Sequence, residues 1–100
     1  MIKSSGFRIS PTEVEEVLYK SGRVRGAAVI GIPDEVLGQS IKVFVVLSNG
    51  NRLDTEALLD YCAEHMPRYM VPKVVEVIDE MPKTSSGKVD YPVLRRREGL

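Results

Sequence analysis

The sequence has one cysteine, one histidine and no excess of either charge, and each of these shortages excludes a class of site. Cys62 has no second cysteine to pair with, so an internal disulfide is excluded and a reducing compartment is expected. His65 has no ligand set around it at metal-binding spacing, so no metal site is predicted. Fourteen basic residues balance fourteen acidic ones. Because a neutral chain lacks the positive field that phosphate-backbone binding requires, a nucleic acid partner is not expected.

Long apolar runs are missing as well. No stretch approaches the roughly 18 apolar residues that a membrane span needs, and the N-terminus lacks the apolar segment of a signal peptide. We therefore expect no membrane span and a cytoplasmic location. The 100 residues are 43% hydrophobic and 28% charged, a composition typical of a single globular domain with one core.

The N-terminal part of the sequence predicts a β-hairpin followed by a helix. Residues 2–9 read as two short extended pieces about a Ser-Ser-Gly turn. Ser10, Pro11 and Glu13 then fit the N-cap, N1 and N3 positions of a capping box. Gly22 is a natural C-terminal stop for the helix that they begin.

Two runs rich in β-branched residues, 24–32 and 41–47, predict strands separated by a loop over residues 33–38. The second run has apolar residues on both of its faces, which indicates a strand covered on both sides. One face carries Ile41, Val43, Val45 and Leu47, and the other carries Phe44 and Val46.

The rest of the chain predicts a helix, a strand and a short terminal helix. After a turn at residues 48–51, Asp54 is expected to cap a second helix that Pro67 ends, with Cys62 as an inert thiol on its buried face. Residues 73–78 predict a third strand and residues 93–98 a helical turn. The predicted fold is therefore α+β, a small two-layer domain. It has a mostly antiparallel central sheet of about three strands, two main helices and an N-terminal β-hairpin.

A loop of small residues, "PKTSSGKVDYP" at positions 82–92, carries the exposed lysine Lys88. It is not a Walker phosphate loop, because Pro82 and Val89 occupy the positions where that pattern needs a glycine and a serine or threonine. The residues themselves leave two interpretations open. Lys88 is either an ordinary solvated lysine or a cation on a movable backbone, presented to a phosphate or carboxylate.

Three segments in order resemble one protein family. They are "IKSSGFRISPTEVEEVL" (2–18), "GIPDEVLGQSIKVFVVL" (31–47) and "MPKTSSGKVD" (81–90). Together they are similar to the C-terminal domain of the AMP-forming adenylating enzymes, which include acyl-CoA synthetases, nonribosomal-peptide adenylation domains and luciferases. The resemblance covers nearly the whole chain and is strongest towards the acyl-CoA ligases.

The resemblance implies site residues in two regions. Lys88 matches the catalytic lysine that the family inserts during adenylation, with Ser86 and Gly87 forming its mobile loop. Gly6 matches a glycine that leaves room for a pantetheine arm, and Arg8 matches a basic residue near the closed site. Gly6 also has a plainer interpretation as an ordinary turn glycine.

The resemblance further implies that residues 1–100 are the lid domain of a longer enzyme whose hinge precedes Ile2. A large N-terminal domain, the lid's partner, would bind most of the ATP, Mg²⁺, carboxylic acid and CoA. The reaction would be carboxylate plus ATP to acyl-AMP and pyrophosphate, then thioester formation with CoA, and the isolated lid would be inactive. Two alternatives stay open: loading of a carrier-protein phosphopantetheine, or a non-catalytic binding or regulatory module with the same fold.

The sequence departs from the family pattern at two places. Gln39 stands where many members have glutamate, which we expect to change local hydrogen bonding and not the chemistry. Tyr91 and Pro92 stand where a basic residue is common. Neither departure changes Lys88.

Overall fold

The computed structural model describes residues 1–48 and 54–100, for Asp54 only the main chain. The predicted capping by Asp54 and most of the predicted turn at residues 48–51 lie outside this description. The strands are β1 (Ile2–Ser4), β2 (Phe7–Ile9), β3 (Val24–Asp34), β4 (Gly38–Leu47) and β5 (Val74–Val77). The α-helices are α1 (Pro11–Lys20), α2 (Asp54–His65) and α3 (Tyr91–Arg97), and a 3₁₀ turn spans Arg68–Met70.

All five strands belong to one sheet, in which β2, β1, β4 and β3 follow one another and β5 also pairs with β4. The β3 strand pairs with β4 along its length, in antiparallel fashion. On the other edge of β4, β1 meets it at Gly38 and β5 runs parallel to residues 42–45. The predicted α+β fold is confirmed, but the strand count is higher than three because the hairpin joins the main sheet.

The central strand β4 buries side chains on both faces, as its sequence predicts. The first core contains Ile41, Val43, Val45 and Leu47 together with buried residues of α1 and α2. The second core contains Phe44 and Val46 together with Leu94 of α3. Helices α1 and α2 therefore cover one face of the sheet, and α3 with the segment before it forms a smaller third layer on the other.

Helix α1 begins where the sequence predicts, but its predicted capping box is incomplete. Ser10 is the N-cap residue with extended backbone, yet its side chain makes no capping hydrogen bond, so that part of the prediction is wrong. Pro11 at the first helical position already holds the φ angle that starts the helix. At the other end Gly22 adopts φ +72° and ends the helix as predicted.

The β3–β4 hairpin is longer than its sequence predicts, so the predicted loop at residues 33–38 shortens to 35–37. Pro33 lies within β3 and pairs with Gln39. A proline is tolerated there because no strand among residues 1–48 and 54–100 pairs with the outer edge of β3, so the missing N–H breaks no ladder bond on that side. Side chains of α1 satisfy that edge elsewhere: Glu15 accepts from Val29 N at 2.8 Å, and the Tyr19 hydroxyl accepts from Ala27 N at 3.0 Å.

An ion-pair cluster around the buried Lys42 connects α3 to the sheet. Lys42 on β4 is 6% exposed, and its ammonium lies 2.8 Å from Glu76 of β5 and 2.7 Å from Glu98 at the end of α3. Arg97 also bonds Glu76, at 3.0 Å. Burial by itself lowers the pKa of Lys42, but the hydrogen bonds from the two carboxylates outweigh it and raise the pKa above its ordinary value.

Replacing Lys42 with methionine is expected to lower the free energy of unfolding by about 1–3 kcal/mol, because the part-buried Glu98 loses its cation and Glu76 keeps only Arg97. Lys73→Met is the matched control, since Lys73 is 62% exposed and, among residues 1–48 and 54–100, pairs only with Asp34. Because solvent screens the exposed ammonium, this pair should contribute less than the Lys42 cluster. Urea denaturation followed by circular dichroism measures both, and equal losses would show that burial of the cluster adds nothing.

Candidate functional site

The lysine predicted to be catalytic lies on a hydrogen-bonded turn, residues 83–89, called the lysine turn here. Lys83 and Val89 form an isolated antiparallel bridge at its base. Within the turn, Thr84 N donates to the Lys88 carbonyl at 2.7 Å and Gly87 N donates to the Thr84 carbonyl at 3.0 Å. Gly87 has φ +85°, which favours glycine at that position.

Within the described part of the chain, no charged group lies against the Lys88 side chain. Its ammonium group is exposed and forms no hydrogen bond or ion pair with residues 1–48 or 54–100. The neighbouring hydroxyls are used inside the turn, since Thr84 Oγ1 accepts from Lys88 N at 3.3 Å and lies 3.0 Å from Ser86 Oγ. The turn therefore displays a compact cation that is free to meet an anion from outside the domain.

Both ends of the lysine turn are attached to the sheet. Before it, the buried Met81 lies so close to Gly26 of β3 that a Cβ on this glycine would be 3.5 Å from the Met81 Cε. At its end, Val89 packs against the second core. The Asp90 main chain donates to the Pro82 carbonyl at 2.9 Å, and its carboxylate caps α3 by accepting from Val93 N.

The first residue of α3 makes a contact that the sequence did not predict. The Tyr91 hydroxyl donates to Glu15 Oε2 at 2.6 Å, and the same oxygen accepts from Val29 N. Burial, and then the bond to the carboxylate, raise the pKa of Tyr91 above its ordinary value. The only signal in the sequence was that Tyr91 stands where a basic residue is common in similar proteins.

The hairpin predicted to face a thiol has a tight two-residue turn. Ser5 has φ 52° and Gly6 has φ 82°, values typical of a type I′ hairpin turn. A Cβ added to Gly6 would meet nothing within 4 Å, so inside this chain only the backbone angle favours glycine. Beside it, the Arg8 side chain is exposed, and Phe7 stacks on Tyr69 with ring centroids 3.9 Å apart.

The structure keeps the two candidate regions apart. The hairpin reaches β4 at Gly38, where Ser4 pairs with it. The segment before the lysine turn packs near Val46, at the other end of the same strand. Positions 38 and 46 are eight residues apart, which is about 26 Å along a strand. Lys88 is therefore not brought together with Gly6 or Arg8.

The loop between β3 and β4 supports the hairpin. Ser5 N donates to the Leu37 carbonyl at 2.9 Å, and Lys3 N donates to Gln39 Oε1 at 2.9 Å. Gln39, predicted to affect local hydrogen bonding, thus holds β1 in place. Asp34 orders the same loop, because its carboxylate accepts from Leu37 N and pairs with Lys73 at 2.9 Å.

Cys62 and His65, the other titratable residues considered in the sequence, are given no catalytic role. Cys62 is buried, and burial raises its pKa to about 11, in keeping with an inert thiol. The His65 ring stacks on Tyr61 at 3.9 Å. Residues 1–48 and 54–100 contain no group of three His, Cys, Asp or Glu side chains able to hold a metal ion. Among the same residues, no helix is long and apolar enough to cross a membrane.

Comparison with known proteins assigns the family. The sequence model of the AMP-binding enzyme C-terminal domain matches residues 13–88. The chain belongs to this family. A long-chain-fatty-acid–CoA ligase of Yersinia pestis is 46% identical over 98 residues, and one of Bacillus subtilis is 41% identical over 97. Each alignment covers almost all of this AMP-binding C-terminal domain, 98% and 97%, but only 17% of the relative's length.

Solved structures agree with that assignment. An acyl-CoA synthetase of Brucella canis matches with a TM-score of 0.89 and 36% identity over 98% of this chain and 19% of the other. An amide bond synthetase, McbA of Marinactinospora thermotolerans, matches with the same TM-score at 32% identity over 96% of this chain and 19% of its own. The resemblance to AMP-forming acyl-CoA ligases is confirmed, and these relatives are about five times longer than the chain.

The stability of the Asp34 loop is expected to depend on pH. Hydrogen bonds from Leu37 N, Lys73 and Val36 N lower the pKa of Asp34 from 3.8 to about 2. A lowered folded-state pKa stabilises the fold fully above the unfolded pKa, and this contribution is lost as the pH falls from about 4 towards 2. Urea unfolding between pH 5 and pH 2 should therefore show a steeper loss for the wild type than for Asp34→Asn.

Glu35→Gln is the control, since it neutralises an exposed carboxylate on the same loop. Its stability should follow the wild-type pH curve. Parallel curves for the wild type and Asp34→Asn would contradict the role given to Asp34.

Proposed function

We propose that residues 1–100 are the catalytic lid of an AMP-forming acyl-CoA ligase and act together with a larger N-terminal domain in the same protein. The observation that carries this proposal is the Lys88 ammonium, which has no partner among residues 1–48 and 54–100 and lies on a turn attached to the sheet at both ends. Family membership supports it, because the family's sequence model matches residues 13–88 and the resemblance implies that Lys88 is the adenylation lysine. The lone, buried thiol fits a reducing, cytoplasmic setting.

In the first half-reaction a carboxylate oxygen attacks the α-phosphorus of ATP, the bond to pyrophosphate breaks, and acyl-AMP forms. Negative charge gathers on the attacking carboxylate and on the phosphate oxygens. A cation held in position stabilises that charge more in the transition state than in the ground state. Lys88 acts here as an electrostatic stabiliser and keeps its proton throughout.

In the second half-reaction the lid turns and presents the hairpin, while Lys88 withdraws. A thiol sulfur attacks the acyl carbon and AMP leaves with the bonding electrons. Lid motions of this kind separate steps that need different groups. The separation of about 26 Å between the two regions along β4 suits such an exchange. Gly6 then leaves room for the pantetheine arm, and Arg8 contacts a phosphate of the thiol substrate.

The N-terminal domain binds most of the ATP, the acid and the Mg²⁺, as the family resemblance implies. Coenzyme A is the proposed acceptor, because the relatives of Yersinia pestis and Bacillus subtilis are both CoA ligases. The neighbour McbA is an amide bond synthetase, so acceptor choice is tested by competition. Coenzyme A, a phosphopantetheinyl carrier protein and an amine are offered together to the acyl-adenylate.

Replacing Lys88 with alanine in the full-length protein should slow carboxylate-dependent exchange of pyrophosphate into ATP by about 100-fold or more, equivalent to about 3 kcal/mol. The loss follows from removing the cation that stabilises the transition state. Thioester formation from supplied acyl-adenylate should change little, because Lys88 is withdrawn in that step.

Lys83→Ala is the matched control, since Lys83 is an exposed lysine at the base of the same turn. It should retain nearly full exchange. The isolated 100-residue domain should release no pyrophosphate from ATP with carboxylic acids. Unchanged exchange by Lys88→Ala in an active protein would overturn the proposed function and favour a non-catalytic module with this fold.

Gly6→Val should slow thioester formation about tenfold or more and leave pyrophosphate exchange nearly unchanged, because the added side chain narrows the thiol path. Gly22→Val is the matched control: Gly22 also has positive φ and open space around its Cβ direction, but lies at the end of α1. Both variants suffer similar backbone strain. Equal effects of Gly6→Val and Gly22→Val on thioester formation would show that Gly6 is an ordinary turn glycine.

A further inference from the structure

We infer that Tyr91 and Glu15 form a positioning pair for Lys88, so that their hydrogen bond sets the rate of the adenylation half-reaction. The inference rests on the proposed function of Lys88 and extends it to residues outside the lysine turn. Neither residue touches substrate. They act through the backbone that carries the lysine.

The position of Tyr91 in the chain makes this action direct. Tyr91 follows Lys88 by three residues and is the first residue of α3. Its hydroxyl donates to Glu15 Oε2 at 2.6 Å, across 76 residues of sequence. Glu15 lies on α1, so this bond joins the start of α3 to a helix that covers the opposite face of the sheet.

The Glu15 carboxylate is itself held in place. The oxygen that accepts from Tyr91 also accepts from Val29 N at 2.8 Å, on the outer edge of β3. A fixed acceptor makes the position of the tyrosine ring well defined. Since Tyr91 is part-buried and packs against the second core, its ring has little freedom to move without moving the start of α3.

The two ends of α3 are held by different groups. The last turn is fastened by the Lys42 cluster through Arg97 and Glu98. The first turn depends on the Asp90 cap and the Tyr91–Glu15 bond. Loss of the Tyr91 hydroxyl therefore loosens the end next to Lys88, while the far end stays attached. Small displacements of a catalytic group lower rates steeply, by up to about 100-fold for an ångström.

The test is a set of variants in the full-length protein, assayed separately in the two half-reactions. Tyr91→Phe removes only the hydroxyl. Tyr19→Phe is the matched control: the Tyr19 hydroxyl bonds the outer edge of β3, through Ala27 N at 3.0 Å, but Tyr19 lies on α1, far in the sequence from Lys88. Lys88→Ala is included as the reference for complete loss of the cation. Thermal melts confirm that each variant is folded.

Tyr91→Phe is expected to lower the maximal rate of pyrophosphate exchange about tenfold, with the KM for ATP and the acid little changed. Thioester formation from supplied acyl-adenylate should stay within about twofold of wild type. Tyr19→Phe should leave both rates near wild type.

Variants of Glu15 provide a second, independent test of the positioning pair. Glu15→Ala should match Tyr91→Phe in exchange, whereas Glu15→Gln, which keeps an oxygen to accept both bonds, should restore most of the rate. The double variant Tyr91→Phe, Glu15→Ala should be no slower than the slower single variant, as expected for groups that act through one bond.

Three results would overturn the positioning role: Tyr91→Phe behaving like Tyr19→Phe, equal losses in both half-reactions, or additive losses in the double variant. Each can occur while Lys88→Ala still abolishes exchange, and then the proposed function stands without the positioning pair. If Lys88→Ala leaves exchange intact, the proposed function fails and the positioning pair fails with it. The two failures are thus distinguished in one experiment.

Discussion

Strand β4 buries side chains on both of its faces, and the other elements of the domain are arranged so that each face is covered. Every residue from Ile41 to Leu47 is buried, and all of them except Lys42 are apolar. One set requires the layer formed by α1 and α2, and the other requires α3 and the segment before it. Burying apolar surface on both sides of one strand is the main source of stability available to a domain of this size.

This constraint also places the functional candidates. Because α3 must pack on the second face, the chain passes from β5 to α3 through the lysine turn, at the Val46 end of β4. Because β1 pairs with β4 at Gly38, the Gly6 turn lies at the other end. A single strand thus separates the cation from the hairpin. A rigid body with different groups at its two ends suits an enzyme that needs them in different steps.

Polar side chains add hydrogen bonds and ion pairs to the contacts made by the apolar cores. In the described part of the chain no strand pairs with the outer edge of β3, and Glu15 and Tyr19 of α1 supply acceptors for its N–H groups. On the second face, the buried Lys42 has its charge balanced by carboxylates from β5 and α3. Both arrangements satisfy groups that would be costly to bury alone. They also connect the layers, so the placement of α3 depends on polar bonds as well as on packing.

The sequence by itself determined the features that depend on near neighbours. The hairpin turn at Gly6, the start of α1 at Pro11 and the two faces of β4 follow from local backbone preference and from alternation. The family followed from three ordered motifs. Only the tertiary structure decided the parallel pairing of β5, the distance between Lys88 and the hairpin, and the Tyr91–Glu15 bond. These contacts join residues far apart in the chain, and local preference carries no information about which distant partners the folded packing brings together.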